Sequence, residues 1–282
     1  MVGNFQQGIS DPATQGNIAL TQIIYPAGHP NYATSIEKTI ENIKQAKQAD
    51  LKAFHKKYFG PTAMHLVAVG DVDTEILYRS LEKNFNNWSG GVNRTVENHK
   101  GEKGAAITKI VTIPEKPSAE LFIGQYTGIK RSDPEFLPFY LANSILRGGF
   151  SGRLMKTVRD EAGLTYGIYT KLDGYTFADG YWYINASFNP QLLSKGKAAT
   201  MDELSKWANQ GITAEELKDK KTSLIGSFKI GLATTRGMAA NILAVLQRGE
   251  QPEYIYKYPE ELNAVTLKQV NAAIKNILTW TN

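Results

Sequence analysis

Two side chains with strong hydrogen-bonding ends, Arg159 and Tyr166, stand seven positions apart in the stretch VRDEAGLTYGIY, residues 158–169. Brought together, a guanidinium and a phenol are donors suited to a carboxylate or to an oxygen on which negative charge develops. A plainer reading stands beside this one: Arg159 pairs with Asp160, Glu161 or another helix acid, and Tyr166 packs as a strand aromatic. Ser151 and Arg153 look like a nucleophile and its partner, but no histidine accompanies them, which argues against a serine hydrolase. Gly148-Gly149 lacks a P-loop lysine and follows a helix, so the glycines read as a tight turn. The four histidines, His29, His55, His65 and His99, show no metal-binding spacing. His55 lies among lysines on a helix face and His65 opens a strand, while His29 in a turn and His99 in a linker read as surface residues. Asp173, Asp179 and Glu161 are scattered carboxylates, expected to be solvated. With no cysteine, disulfides, thiolate metal sites and a cysteine nucleophile are excluded.

The elements that must position these residues follow from periodicity. A chain of 282 residues with 42% hydrophobic and 21% charged side chains is ordinary globular material, enough for one or two domains. The net charge of +5 is densest at Lys44, Lys47, Lys52, Lys56 and Lys57, at helical spacing and without a stripe of stacking aromatics, so nucleic-acid binding is not expected. No apolar run approaches ~18 residues, so no membrane span is expected. The stretch MVGNFQQGISDPATQGN has no signal-peptide core.

Ile36, Ile40, Ile43, Leu51 and Phe54 predict a helix over 36–59, ended by Gly60-Pro61. Met64–Gly70 reads as a strand, and Asp71 to Asp73 cap a helix running through Phe85. Beyond the polar, glycine-rich residues 87–105, strands are expected over Ile107–Ile113, Ala119–Tyr126, Tyr166–Leu172 and Gly180–Asn189. Helices are expected from Asp133-Pro134-Glu135 through Leu146, over Arg153–Glu161 with Ser151 as cap, and from Pro190 through Trp207. Thr213-Ala214-Glu215-Glu216 is a capping box opening another. Aromatics on both faces of Gly180–Asn185 suggest core packing on one face and peptide binding along an open edge nearby. The sum is α+β, a mainly antiparallel sheet with helices on one face.

The ends of the chain resemble each other. Gly28-His29-Pro30-Asn31-Tyr32 is echoed by Glu250-Gln251-Pro252-Glu253-Tyr254, and Ile43, Leu51, Tyr58 and Phe59 by Leu262, Val270, Ile277 and Leu278. The expected organisation is therefore 1–86, the C-terminal part of a first α+β domain; 87–105, a linker; and 106–282, a second, homologous domain without the strand that would match Met64–Gly70. On this reading the sequence is a fragment.

Nearly the whole chain resembles the pitrilysin, insulysin and mitochondrial-processing-peptidase superfamily, the inverted-zincin peptidases. The resemblance rests on YPAGHPNY, ADLKAFHKKYFGPTAMHLVAVGDVD, ILRGGFSGRLMKTVRDEAGLTYGIY and GITAEELKDKK, in that order. It implies two homologous α+β domains closing like a clamshell, the first carrying His-x-x-Glu-His and a later glutamate on Zn²⁺. This sequence departs there: no two histidines frame that motif, and its place in the second unit is Phe139-Tyr140-Leu141-Ala142-Asn143-Ser144. The resemblance puts the zinc ligands before Met1, so this chain is expected to bind no metal and to be inactive alone. It also gives Arg159 and Tyr166 the role of second-domain donors that bind substrate and stabilise the tetrahedral intermediate.

Two functions follow from the resemblance. In one, the chain is the substrate-binding, non-zinc portion of a zinc metallopeptidase, partnered by a zinc-bearing N-terminal domain of the same protein and acting on peptides. In the other, it belongs to a non-catalytic homologue that binds peptides or assembles with a homologous zinc-bearing subunit. The compartment is open; bacterial members of compact two-domain form point weakly to an extracytoplasmic site, the periplasm.

Overall fold

The computed structural model describes residues 2–92, 101, 104–147 and 152–278. They divide into two compact units: Met1–Glu41 with Glu97–Lys221 and Ala264–Asn282, and Asn42–Val96 with Thr222–Asn263. This is a partition by packing, whereas the sequence division follows a repeat, so the two need not share boundaries.

The chain opens with α1 (Val2–Ile9) and α2 (Pro12–Ile24). Asp11 caps α2 by accepting the Thr14 N–H at 2.8 Å, with Pro12 at the first helical position, where its missing donor costs nothing. The helix expected over 36–59 is two helices, α3 (Ile36–Gln45) and α4 (Gln48–Tyr58). The break has a local cause: the Asp50 carboxylate accepts the Lys47 N–H at 2.9 Å, which restarts the helix there. The five lysines are exposed, as a solvated face requires. Helix α5 (Thr74–Phe85) begins where the aspartates indicate, Asp73 accepting from the Glu75 and Ile76 N–H groups.

Three strands form the sheet: β1 (Ala119–Tyr126), β2 (Thr165–Asp173) and β3 (Tyr181–Phe188). Their order is β1-β3-β2, antiparallel throughout. Met64–Gly70 and Ile107–Ile113, expected as strands, are not: among the described residues neither has a ladder partner, and Ile110 is 85% exposed. Apolar alternation makes a segment able to pair, but a neighbouring edge must be present to accept it.

Between the strands lie α6 (Phe136–Leu146) and a π-helix (Met155–Glu161); after them come α7 (Leu193–Gln210), preceded by a 3₁₀ turn at Pro190–Leu192, and α8 (Ala214–Leu232). Then follow α9 (Thr235–Gln247), α10 (Tyr254–Ala264) and α11 (Leu267–Ile277). The expected turn at Gly148-Gly149, the Ser151 cap and His99 lie outside the described residues.

The fold is α+β, and its core lies in the first unit against one sheet face. There Trp182 donates its indole N–H to Asn143 Oδ1 of α6 at 2.8 Å and stacks on Trp207 of α7, rings 6.2 Å apart. The Thr170 hydroxyl donates to the Asn143 carbonyl, and Val270, Ala273, Ile274 and Ile277 form the buried stripe of α11, which packs on α6. Helix α2 adds cover to the other face near β1, with Leu20, Ile24 and Tyr25 against Tyr181 and Tyr183. Gly16 permits this approach, since a Cβ there would meet the Phe122 ring at 2.5 Å. β3 is therefore the central strand, with its aromatics packed on both faces, and the outer edges belong to its neighbours β1 and β2.

Candidate functional site

The helix expected over 153–161 begins with one turn and then widens. The Ala162 N–H donates to the Thr157 carbonyl, five residues back, at 3.2 Å, where an α-helix would reach four. Leu154 and Val158 are fully buried and hold the inner side. The turn ends at Gly163, with φ +61°, a conformation that costs a side-chain-bearing residue about 1–2 kcal/mol. Its N–H donates to the Arg159 carbonyl at 2.9 Å, and the Leu164 N–H donates to the Val158 carbonyl at 3.0 Å.

The chain then enters β2 through a bulge. Thr165 pairs with Phe188 and Gly167 with Ser187, so Tyr166 is the unpaired extra residue. The Thr165 hydroxyl closes the bulge, donating to the Ser187 carbonyl and accepting the Gly167 N–H at 3.2 Å. Bulges re-aim side chains, and this one turns Tyr166 outward, 88% exposed. The reading of Tyr166 as a packed strand aromatic is thus wrong for this strand. The Arg159 guanidinium lies over the Tyr166 ring, 5.4 Å from its centre, and its Nε stands 3.9 Å from Asp160 Oδ1. That ion pair is long and half exposed, worth at most about 1 kcal/mol, and leaves most of the guanidinium's donors uncommitted to it. Beside Tyr166 an open cleft of about 430 Å³ is lined by Pro117, Ser118, Leu164, Thr165, Ser187 and Phe188, a mixture of polar and apolar groups without a charge. The two residues singled out by type and spacing therefore stand together at one end of the sheet.

Arg153 is no partner to a nucleophile. Its Nε and Nη2 donate to the two oxygens of Glu216 at 2.6 and 2.7 Å, a bidentate pair between a residue two before the π-helix and the first turn of α8. Burial opposes the charge on Glu216, but hydrogen bonds from Arg153 and Thr213 outweigh it and hold its carboxyl below the usual range. The hydrogen bond to Glu216 likewise raises Arg153. Glu203 of α7 is buried, and desolvation pushes its carboxyl up despite the attraction of Arg153.

Two expectations about single side chains also fail. His29 is not a surface residue but 4% exposed: its ring stacks on Tyr25 at 4.1 Å and its Nδ1 accepts the Asn31 N–H. Asp179 is not solvated but 4% exposed, accepting from the Tyr126 hydroxyl at 2.8 Å and paired with Lys130 at 3.4 Å. Its carbonyl accepts from the Tyr25 hydroxyl and the Asn31 amide, so the GHPNY turn is fastened to the loop before β3. The sequence signal was the density of aromatics around both segments, which offers a burial partner to each. His55 is exposed and stacks on Phe59 at 5.1 Å.

The residues present do not fit a metal: among those described, no three of His, Asp or Glu come together to hold an ion. No helix among them is long and apolar enough to cross a membrane.

A sequence profile for the family described as peptidase M16 inactive domain matches residues 45–224. An uncharacterized zinc protease of Mycobacterium bovis is 25% identical over 260 residues, 90% of this chain and 57% of the relative. A protein of Helicobacter pylori named as a non-peptidase homolog is 24% identical over 240 residues, 84% of this chain and 54% of the relative. The chain thus spans little more than half the length of these relatives. The fold is similar to that of a peptidase M16 inactive domain from Pseudomonas fluorescens, with a TM-score of 0.83 and 24% identity, covering 99% of this chain and 65% of that one. With the profile spanning most of its length and the pitrilysin-like motifs in order, the chain belongs to the peptidase M16 inactive-domain family.

Proposed function

We propose that this chain is the substrate-binding, non-zinc portion of a zinc metallopeptidase acting on peptides, with Arg159 and Tyr166 as donors to the peptide. The observation that carries this reading is the outward Tyr166 at a bulge, with the Arg159 guanidinium against its ring and an open, uncharged cleft beside it. A phenol and a guanidinium offer three or more N–H and O–H donors to a peptide carbonyl, and donors aimed at developing negative charge lower the barrier to its hydrolysis. Zinc, on this reading, is held elsewhere in the full-length protein or in a homologous partner subunit, as the names of the zinc-protease relatives suggest.

The test is Tyr166→Phe in the full-length protein. Loss of the hydroxyl should lower kcat about ten- to a thousandfold with a smaller change in KM, as expected of a donor used in the transition state. An unchanged kcat counts against the assignment. A second reading, a non-catalytic homologue that binds peptides or assembles with a zinc-bearing subunit, draws on the relative named as a non-peptidase homolog. The full gene separates the two: His-x-x-Glu-His upstream of Met1 supports the first and its absence the second.

A further inference from the structure

We propose that Arg153 and Glu216 are positioning residues for the Arg159–Tyr166 pair: their bidentate ion pair ties the start of the π-helix to the start of α8 and so fixes where the Arg159 guanidinium lies. The proposal rests on the reading of Arg159 and Tyr166 as peptide donors.

A seven-residue π-helix is an uncommon, weakly self-supporting element and needs outside restraint. Its own exposed ion pairs cannot supply it, since Lys156–Glu161 is 4.0 Å long and Arg159–Asp160 3.9 Å, both at the weak end of surface pairs. Leu154 and Val158 anchor the helix by apolar burial, which resists withdrawal but sets azimuth poorly because it is non-directional. The Arg153–Glu216 pair is directional: two short N–H···O bonds, from Nε and Nη2 to the two carboxylate oxygens, constrain both distance and orientation at part-buried groups.

Glu216 is in turn held firmly. Its carboxylate accepts the Thr213 N–H at 2.8 Å while its own N–H donates to the Thr213 hydroxyl, a capping box. One residue earlier, Asn271 of α11 grips the backbone of Ile212, accepting its N–H at 2.8 Å and donating to its carbonyl at 3.3 Å. The support therefore runs from α11 through the start of α8 to Arg153, and from there along the π-helix to Arg159. Groups that must hold a geometry are commonly fixed this way, by partners that never touch the ligand.

The test uses the 282-residue chain. Hydrogen exchange of Arg153→Lys, which keeps the charge but not the bidentate fork, should show the Ala162, Gly163 and Leu164 amides exchanging about tenfold faster. Amides of β1 and β3 should keep their protection. Affinity for a fluorescein-labelled, unfolded casein peptide should fall about five- to tenfold in Arg153→Lys and in Arg159→Ala, and no further in the double variant, because both changes act through one group. Glu216→Gln, which retains an acceptor for Thr213, should repeat the result if Arg153→Lys folds poorly. Unchanged amide protection, or losses that add in the double variant, would overturn the proposal. Full effect of Arg159→Ala beside an unaffected Arg153→Lys sinks the positioning role alone. No effect of Arg159→Ala on peptide affinity removes the peptide-donor reading, and the positioning role with it.

Discussion

Arg153 acts on two carboxylates of opposite thermodynamic sign, bonded to Glu216 and attracting Glu203. The Glu216 carboxyl is held low, so its contribution to stability is present above the unfolded carboxylate range and lost as pH falls through its lowered value. The Glu203 carboxyl is held high by burial, so its neutral form favours the fold, an advantage lost as pH rises from the unfolded value through the raised one. Thermal melts of two amide variants should therefore diverge. Glu203→Gln should raise the midpoint at pH 7.5 and leave it unchanged at pH 3.5, where both side chains are neutral. Glu216→Gln should lower the midpoint at pH 7.5, by a margin that shrinks as the solution is acidified. Identical pH profiles for the two variants would contradict these assignments. At this scale the motif spacing singled out Arg159 and Tyr166, two side chains that the fold places in contact. The sequence was misleading about His29 and Asp179 because polar type argues for solvent unless the partners are known. Asp179 meets Tyr126 and Lys130, both distant in sequence, and no local pattern announces such a meeting.

Among the elements, those with local causes were legible. β1 follows the expected limits, the Asp73 cap places α5, and the Thr213 box opens α8, because caps and alternation act within a few residues. The break between α3 and α4 was hidden, since apolar periodicity continues across it while Asp50 and Lys47 decide the backbone. Helix α2 was not among the expected elements, although Asp11-Pro12 is a local start signal. The π-helix and the bulge were not legible at all: each is a one-residue excess that only the packed neighbours reveal. Between them lies Gly163, whose Cβ position is open space, so a substitution there tests conformation alone. Gly163→Ala should cost about 1–2 kcal/mol in denaturant unfolding. A neutral result would mean that the turn relaxes and that the helix-to-strand geometry is softer than described.

For the whole molecule, the proposed reading puts the catalytic metal outside this chain. The described residues bring donors together and gather no metal-binding group. The chain incubated with Zn²⁺ and a quenched-fluorescence peptide should show no turnover above that of zinc alone. Robust cleavage, abolished by a chelator, would overturn the view that the catalytic metal belongs elsewhere. The α+β class and the family were readable from the order of motifs, whereas the packing partition in two units was not, since it joins segments far apart in sequence.

The two irregularities that flank Gly163 have a joint consequence that can be put as phase. A residue removed from a helix turns everything beyond it by about 100°, whereas removing the extra residue of a bulge leaves the later strand pairs and the faces they present in place. Deleting one residue of the π-helix would swing Arg159 away from the ring it now faces; deleting the bulge residue would remove Tyr166 itself and restore an even ladder. Neither loss can correct the other, because one is a rotation about a helix axis and the other removes the outward side chain itself. A relative with the same arginine and tyrosine but with either excess residue missing would carry the letters of this site without its geometry.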